Sequence, residues 1–178
     1  MKEFRKLRAD EIECRIGMIK PTGLTLLLYK DARCDMNILD ETVGPENWYR
    51  DHKELKGNMY CGVGIYDKES DRIIYKWDCG SESNTEAEKG EASDSFKRAC
   101  VNWGIGRELY SSPFIWIGKD KCNIEPVSGS KYKCTDKFKV KKITYNKKGE
   151  IDGLCINNEA TGKNVFVQMP KEKAEENE

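Results

Sequence analysis

Apolar residues recur along this chain with two different periods, and the change of period marks its elements. Ala92, Phe96, Ala99, Cys100 and Trp103 follow one another at spacings of three and four. That spacing aligns them in one stripe of an α-helix and points Asp94, Lys97, Arg98 and Val101 elsewhere. Residues 89–110 therefore read as one amphipathic segment, closed by Gly104 as a left-handed C-cap. Thr85, with Glu88 three residues on, gives the capping-box signature of the same helix. A second helix is predicted over residues 31–42, with Asp31 as N-cap and Gly44-Pro45 ending it. Elsewhere the period is two: Ile73, Tyr75, Trp77 and Cys79 alternate with Ile74, Lys76 and Asp78, as in a half-buried strand.

Residues 8–13 read as a short helical turn leading into a hairpin, with strands over 14–20 and 24–29 around Pro21-Thr22-Gly23. Strands over 48–55, 59–66 and 73–79 follow the first helix as a meander joined by Lys56-Gly57-Asn58 and the polar tip 67–72. After residue 117 the character shifts. Strands are predicted over 138–145, 151–157 and 164–168, with turns at Lys148-Gly149 and Thr161-Gly162. The expected fold class is α+β: an antiparallel β-β-β-α core preceded by a hairpin and a helix, with a C-terminal β meander. The expected division is a core over 1–118, a lysine-rich β appendage over 119–170 and an acidic, disordered tail over 171–178.

Net charge is zero, from 31 basic and 31 acidic side chains, so the total gives no hint of a nucleic-acid partner. The distribution does. Residues 119–148 carry ten lysines against three acids, whereas residues 81–94 carry five acids against Lys89. The eight cysteines are never closer than twelve residues and form no CxxC pair, and His52 is the sole imidazole. A structural zinc site would need ligands from distant strands. Cys61 and Cys100 instead fall on apolar stripes, as small buried hydrophobes do, which suits a reducing cytoplasm. The longest apolar run, residues 24–29, contains a threonine, so neither export nor membrane spanning is expected.

Catalytic chemistry finds little support. His52 lies in a charged strand without an evident partner and reads as a surface residue. Gly62-Val63-Gly64 lies inside a strand and Gly104-Ile105-Gly106 follows a helix, whereas a phosphate cradle needs glycines between a strand and the next helix N-terminus. Asp78, Glu82 and Glu86 could hold Mg²⁺, but acids at a helix start are more simply explained as favourable to its dipole. Binding of a single strand is better supported, because it needs only a basic groove for phosphates and planar groups for bases. Lys97 and Arg98 sit about 100° apart on their helix, so both can reach one passing polyanion. Ordinary pairing with Asp94 is the competing reading. Arg33, at the start of the first helix, and Arg107, just beyond the second, stand at element ends that can line a groove. Lys68 marks a hairpin tip, and Trp48, Trp77 and Trp103 are assigned to the core.

Two blocks carry a family resemblance. Phe96-Lys97-Arg98-Ala99, followed by Trp103-Gly104-Ile105-Gly106-Arg107 and Leu109-Tyr110, resembles the DdrA-like and phage Sak-like single-strand annealing proteins, prokaryotic relatives of the eukaryotic Rad52 annealing mediator. Residues 31–48, ending in Gly44-Pro45-Glu46-Asn47-Trp48, resemble that family's first helix and its exit. The likeness spans about residues 8–117, and its β-β-β-α order agrees with the periodicity. It implies a ring-forming protomer that binds single-stranded DNA through the backbone and anneals complementary strands in recombination or double-strand-break repair, without ATP or another cofactor. It also implies that the protein is not an enzyme. Lys97, Arg98, Arg33 and Arg107 are the residues assigned to DNA. Copies of the chain are the expected partners in the ring, and a host single-strand-binding protein is a candidate partner. Val101 departs from the pattern, since the eukaryotic relative is basic there. Readings from other classes are a magnesium-dependent nuclease or end-processing enzyme, and a passive protector of single strands.

Overall fold

The structure, a computed structural model, describes residues 3–80, 87–129 and 131–170. Its elements in chain order are β1 (Glu13–Lys20), β2 (Gly23–Tyr29), α1 (Ala32–Val43), β3 (Trp48–Leu55), β4 (Asn58–Asp67), β5 (Arg72–Cys79), α2 (Ala87–Trp103), β6 (Ile115–Gly118), β7 (Glu125–Pro126), β8 (Tyr132–Lys133), β9 (Phe138–Tyr145), β10 (Ile151–Asn158) and β11 (Asn164–Gln168). The class is α+β with antiparallel sheets, two helices and a C-terminal strand meander, as the periodicities predict. The expected helical turn before β1 is a 3-10 turn at Ala9–Glu11. Among the described residues no helix is long and apolar enough to cross a membrane. The predicted cap at Thr85 and the tail 171–178 lie outside the described residues.

The chain divides into two compact units. One comprises Met1–Leu7 and Lys30–Arg107. Within it β3, β4 and β5 form an antiparallel sheet with β4 central, and α2 packs on β4 and β5. The alternation of β4 sends Cys61, Val63 and Ile65 to the helix side, where they are almost wholly buried with Phe96, Ala99 and Cys100 of α2. Removing one such side chain from water is worth roughly 1.5–3 kcal/mol, so these residues fix which face of α2 turns inward. α1 packs against α2, its Ile38 and Leu39 are wholly buried, and its N-cap Asp31 accepts the Cys34 N–H at 2.8 Å.

The second helix ends at Trp103, before the predicted C-cap Gly104, and the rest of the segment holds a separate 3-10 turn at Arg107–Ser111. Gly104 is the reason. With φ +103° it lets its own N–H bond Val101 O and the Ile105 N–H bond Cys100 O, a Schellman closure that cannot continue as helix.

The other unit comprises Arg8–Tyr29 and Glu108–Glu178, with a six-stranded sheet in the order β11-β10-β9-β1-β2-β6 and a small β7-β8 ribbon. The strands after residue 118, expected as an appendage to a core ending there, thus share a sheet with the amino-terminal hairpin. Glu13 of β1 pairs with Lys139 of β9. Strand β6, which the periodicity did not predict, closes the opposite edge beside β2. Leu24, Leu26, Ile115, Ile117, Phe138, Val140, Ile151, Leu154, Ile156 and Val165 are buried. Both parts of the sequence therefore contribute to one apolar layer, which explains why they pair.

Candidate nucleic-acid interface

The second helix is built so that one side buries and the adjacent flanks carry charge. Lys97 keeps 22% of its side chain exposed and lies 3.8 Å from Asp94, one turn earlier. Arg98 is half-exposed, and its Nε donates to Asp78 Oδ1 of β5 at 3.1 Å. Asn102, one turn beyond Arg98, donates its amide to the other Asp78 oxygen at 3.2 Å and to Trp77 O at 3.1 Å. The two adjacent cations therefore leave the helix on different flanks: Arg98 runs along the seam with β5, whereas Lys97 is near enough to Asp35 of α1 to favour its ionised form. Partly exposed ion pairs of this sort contribute about 0–1 kcal/mol, so either cation can exchange its carboxylate for a phosphate at little cost.

Arg33 stands at the start of α1 with 83% of its side chain exposed and donates to Asp31 at 3.1 Å. Arg107 is exposed but folded back onto the end of α2, where Nη2 donates to Val101 O at 3.0 Å and Asn102 O at 3.1 Å. All four predicted contacts belong to one compact unit. Lys97, Arg98 and Arg107 share α2 and its exit, while Arg33 stands on the neighbouring helix. Val101 is partly buried, and its carbonyl is one of the two that Arg107 grips. Lys68, at the tip between β4 and β5, is exposed.

Lys76 escaped the sequence reading. It lies on the same face of β5 as Asp78, with its ammonium 4.4 Å over the Trp103 ring and 2.9 Å from Asn102 O. The signal was its place in the alternation, out of phase with Tyr75 and Trp77.

The remaining candidates are structural. His52 places Nε2 at 3.3 Å from Ala92 O, tying β3 to α2. Trp48 donates to Asp40 at 2.7 Å and Trp103 to Val63 O at 2.8 Å, which accounts for the polar tips of these two rings, both only partly buried rather than in the core as expected. Of the carboxylates weighed for Mg²⁺, Asp78 is bonded to Arg98 and Asn102, and Glu82 and Glu86 lie outside the described residues. Among the described residues no three His, Cys, Asp or Glu side chains are grouped as a metal would need. The cysteines of the described chain are unbridged. Burial pushes the Cys61 thiol up to about 11 and Cys100 well above its usual value.

The described unit is thus a three-stranded antiparallel sheet covered by a helix that carries two adjacent cations, Lys97 and Arg98. Residues 6–126 match the Rad52/22 family of double-strand break repair proteins, and the chain belongs to that family. Over 40 residues it is 48% identical to the single-stranded DNA-binding protein DdrA of Deinococcus deserti. That stretch is 22% of this chain and 20% of the relative, so the similarity spans about a fifth of either. No solved structure matches the chain.

Proposed function

We propose that this protein binds single-stranded DNA through its phosphates, without regard to sequence, and promotes annealing of complementary strands in homologous recombination or double-strand-break repair. The family match over residues 6–126 carries this reading, because it includes the α2 segment with its adjacent Lys97 and Arg98. Two complementary strands repel one another until their phosphates are neutralised, and they can test pairing only if their bases stay exposed. Contacts from Lys97, Arg98, Arg33 and Arg107 to the backbone meet both needs. Pairing is downhill, so ATP is not required. A ring of copies would hold a strand extended along successive protomers, and cytoplasmic DNA with its single-strand-binding proteins would be its setting.

The test mixes labelled complementary oligonucleotides with the full-length protein in EDTA, without nucleotide. Accelerated pairing with intact strands is the expected result. Binding without acceleration would reduce the protein to a protector of single strands. Loss of strand length on adding magnesium would replace the reading with a nuclease.

A further inference from the structure

Two cations converge on the carboxyl end of α2. Lys76 Nζ and Arg107 Nη2 donate to the same oxygen, Asn102 O, at 2.9 and 3.1 Å, so the nitrogens lie within about 6 Å of each other. The end of a helix presents only about half a negative charge, so two full positive charges more than neutralise it. The excess faces a cavity of about 300 Å³ lined by Glu3, Phe4, Lys6, Lys76, Trp103, Gly104 and Arg107. Three of those seven residues are cationic and one is acidic. Its volume is at the lower end of the range for small-ligand pockets, enough for one nucleotide unit. Gly104 leaves its wall open, since a Cβ there would meet no atom within 4 Å.

The cavity also continues the flank already described. Arg98 and Asn102 are one turn apart, about 6 Å along the axis. Asp78 bridges them, and Lys76 and Arg107 then take up the Asn102 carbonyl. A polyanion laid on Arg98 along the seam with β5 therefore reaches Lys76 and Arg107 next. Like charges held this close repel one another, and an anion between them relieves the repulsion.

We infer that this cavity is a phosphate subsite, in which Lys76, Arg107 and Lys6 hold one phosphate group of a bound single strand. The assignment rests on the strand-binding reading above and extends its contacts beyond the end of the helix. Lys6→Met and Lys76→Met remove the charges while keeping the apolar stems, and Arg107 still satisfies Asn102 O. Two measurements on the full-length protein decide it. In a salt series with oligo(dT), each substitution should flatten the slope of log affinity against log salt by roughly 0.7. Thymidine monophosphate should raise the melting temperature of the wild type and leave that of the double variant unmoved. If the wild type binds oligo(dT) and the folded double variant keeps both its slope and its nucleotide-induced shift, the subsite is overturned while strand binding stands. If the wild type does not bind oligo(dT), the proposed function fails. The melting arm alone then judges the cavity: a shift lost in the variant supports a mononucleotide phosphate site, and no shift in the wild type overturns it.

Discussion

The Lys30 ammonium lies 2.5 and 2.6 Å from the two carboxylate oxygens of Asp35, in a place where the side chains are 5% and 0% exposed. Gly106 stands against the Lys30 stem, which a Cβ at that position would strike. Burial pushes the Asp35 carboxyl up to about 6, against the pull of Lys30. Lys30→Met leaves that carboxyl buried without its cation, and the expected loss is about 3–5 kcal/mol. Lys30→Met with Asp35→Leu should recover most of it. The sign of the pH dependence follows from a folded pKa raised above the usual 3.8. Such a group favours the fold below its unfolded pKa and loses that contribution as pH rises through the folded one. Lys30→Met should therefore be weakest at neutral pH and recover towards about pH 4. Urea melts across pH check this, and a loss equally large at both ends would contradict it. On the surface the stakes are different. Lys97→Ala with Arg98→Ala removes two partly exposed pairs, so stability should move by less than about 1 kcal/mol. Binding of oligo(dT) should weaken alike for all sequences, with a salt slope shallower by roughly 0.7 per contact. An unchanged slope in the folded variant would take both side chains off the strand. The places of Lys97, Arg98, Arg33 and Arg107 on or beside the helices could be read from sequence, because adjacent or terminal positions need only helical geometry. Lys30–Asp35 could not, since nothing local says that two charges five residues apart will be buried together.

Strand β5 illustrates what periodicity leaves open at the scale of an element. Its alternation is plain in the sequence, but the more apolar set, Ile73, Tyr75 and Trp77, faces away from α2, while Lys76 and Asp78 face towards it. The cause is in the neighbouring strand. Gly62 and Gly64 pair with Trp77 and Tyr75, and with no side chains of their own they let those rings lie flat over β4, stacked 5.8 Å apart. A Cβ on Gly62 would come within 2.5 Å of the Trp77 ring. Gly62→Ala must therefore lift the indole and disturb its contact with Lys53, whose ammonium sits 4.6 Å from the ring centroid. The expected cost is about 1–3 kcal/mol, as for other overpacked sites. A shift in tryptophan emission with a lower melting temperature would show it, and an unaltered spectrum with unaltered stability would refute the flat packing. The thiols on the other side of β4 provide a second check of the same layer. Cys61 and Cys100 are buried and held as thiols by that burial, so they should resist alkylation at neutral pH until the protein unfolds. The helices and most strands were legible because caps, glycines and periods are local. Strand β6, only four residues long, and the choice of face in β5 were not, because each depends on a partner strand far away in sequence.

At the scale of the whole molecule, the lysine-rich strands combine buried apolar positions with an exposed basic face, and the two can be tested separately. Phe138, Val140, Ile151, Leu154, Ile156 and Val165 are buried in the six-stranded sheet, and β9 covers the edge of β1. Deleting residues 119–178 would strip these side chains from the sheet and leave that edge open to pair with other chains. The truncated protein is expected to aggregate, and a soluble, cooperatively folded product would contradict the role of β9–β11 in this core. Deletion therefore cannot report on charge. Substitution can, because Lys139, Lys141 and Lys142 are exposed while Phe138 and Val140 alternate into the core. Lys139→Gln, Lys141→Gln and Lys142→Gln together should leave melting within about 0.5 kcal/mol of the wild type. If this surface raises the local concentration of an arriving strand, the triple variant should anneal complementary oligonucleotides more slowly, most of all at low salt. Affinity for the first strand should fall much less, since the proposed contacts to it, Lys97, Arg98, Arg33 and Arg107, are untouched. Stopped-flow annealing against equilibrium binding, each across a salt series, separates the two effects. Equal losses in both would place the first strand on these lysines, and no loss in either would leave the basic strands without a part in annealing.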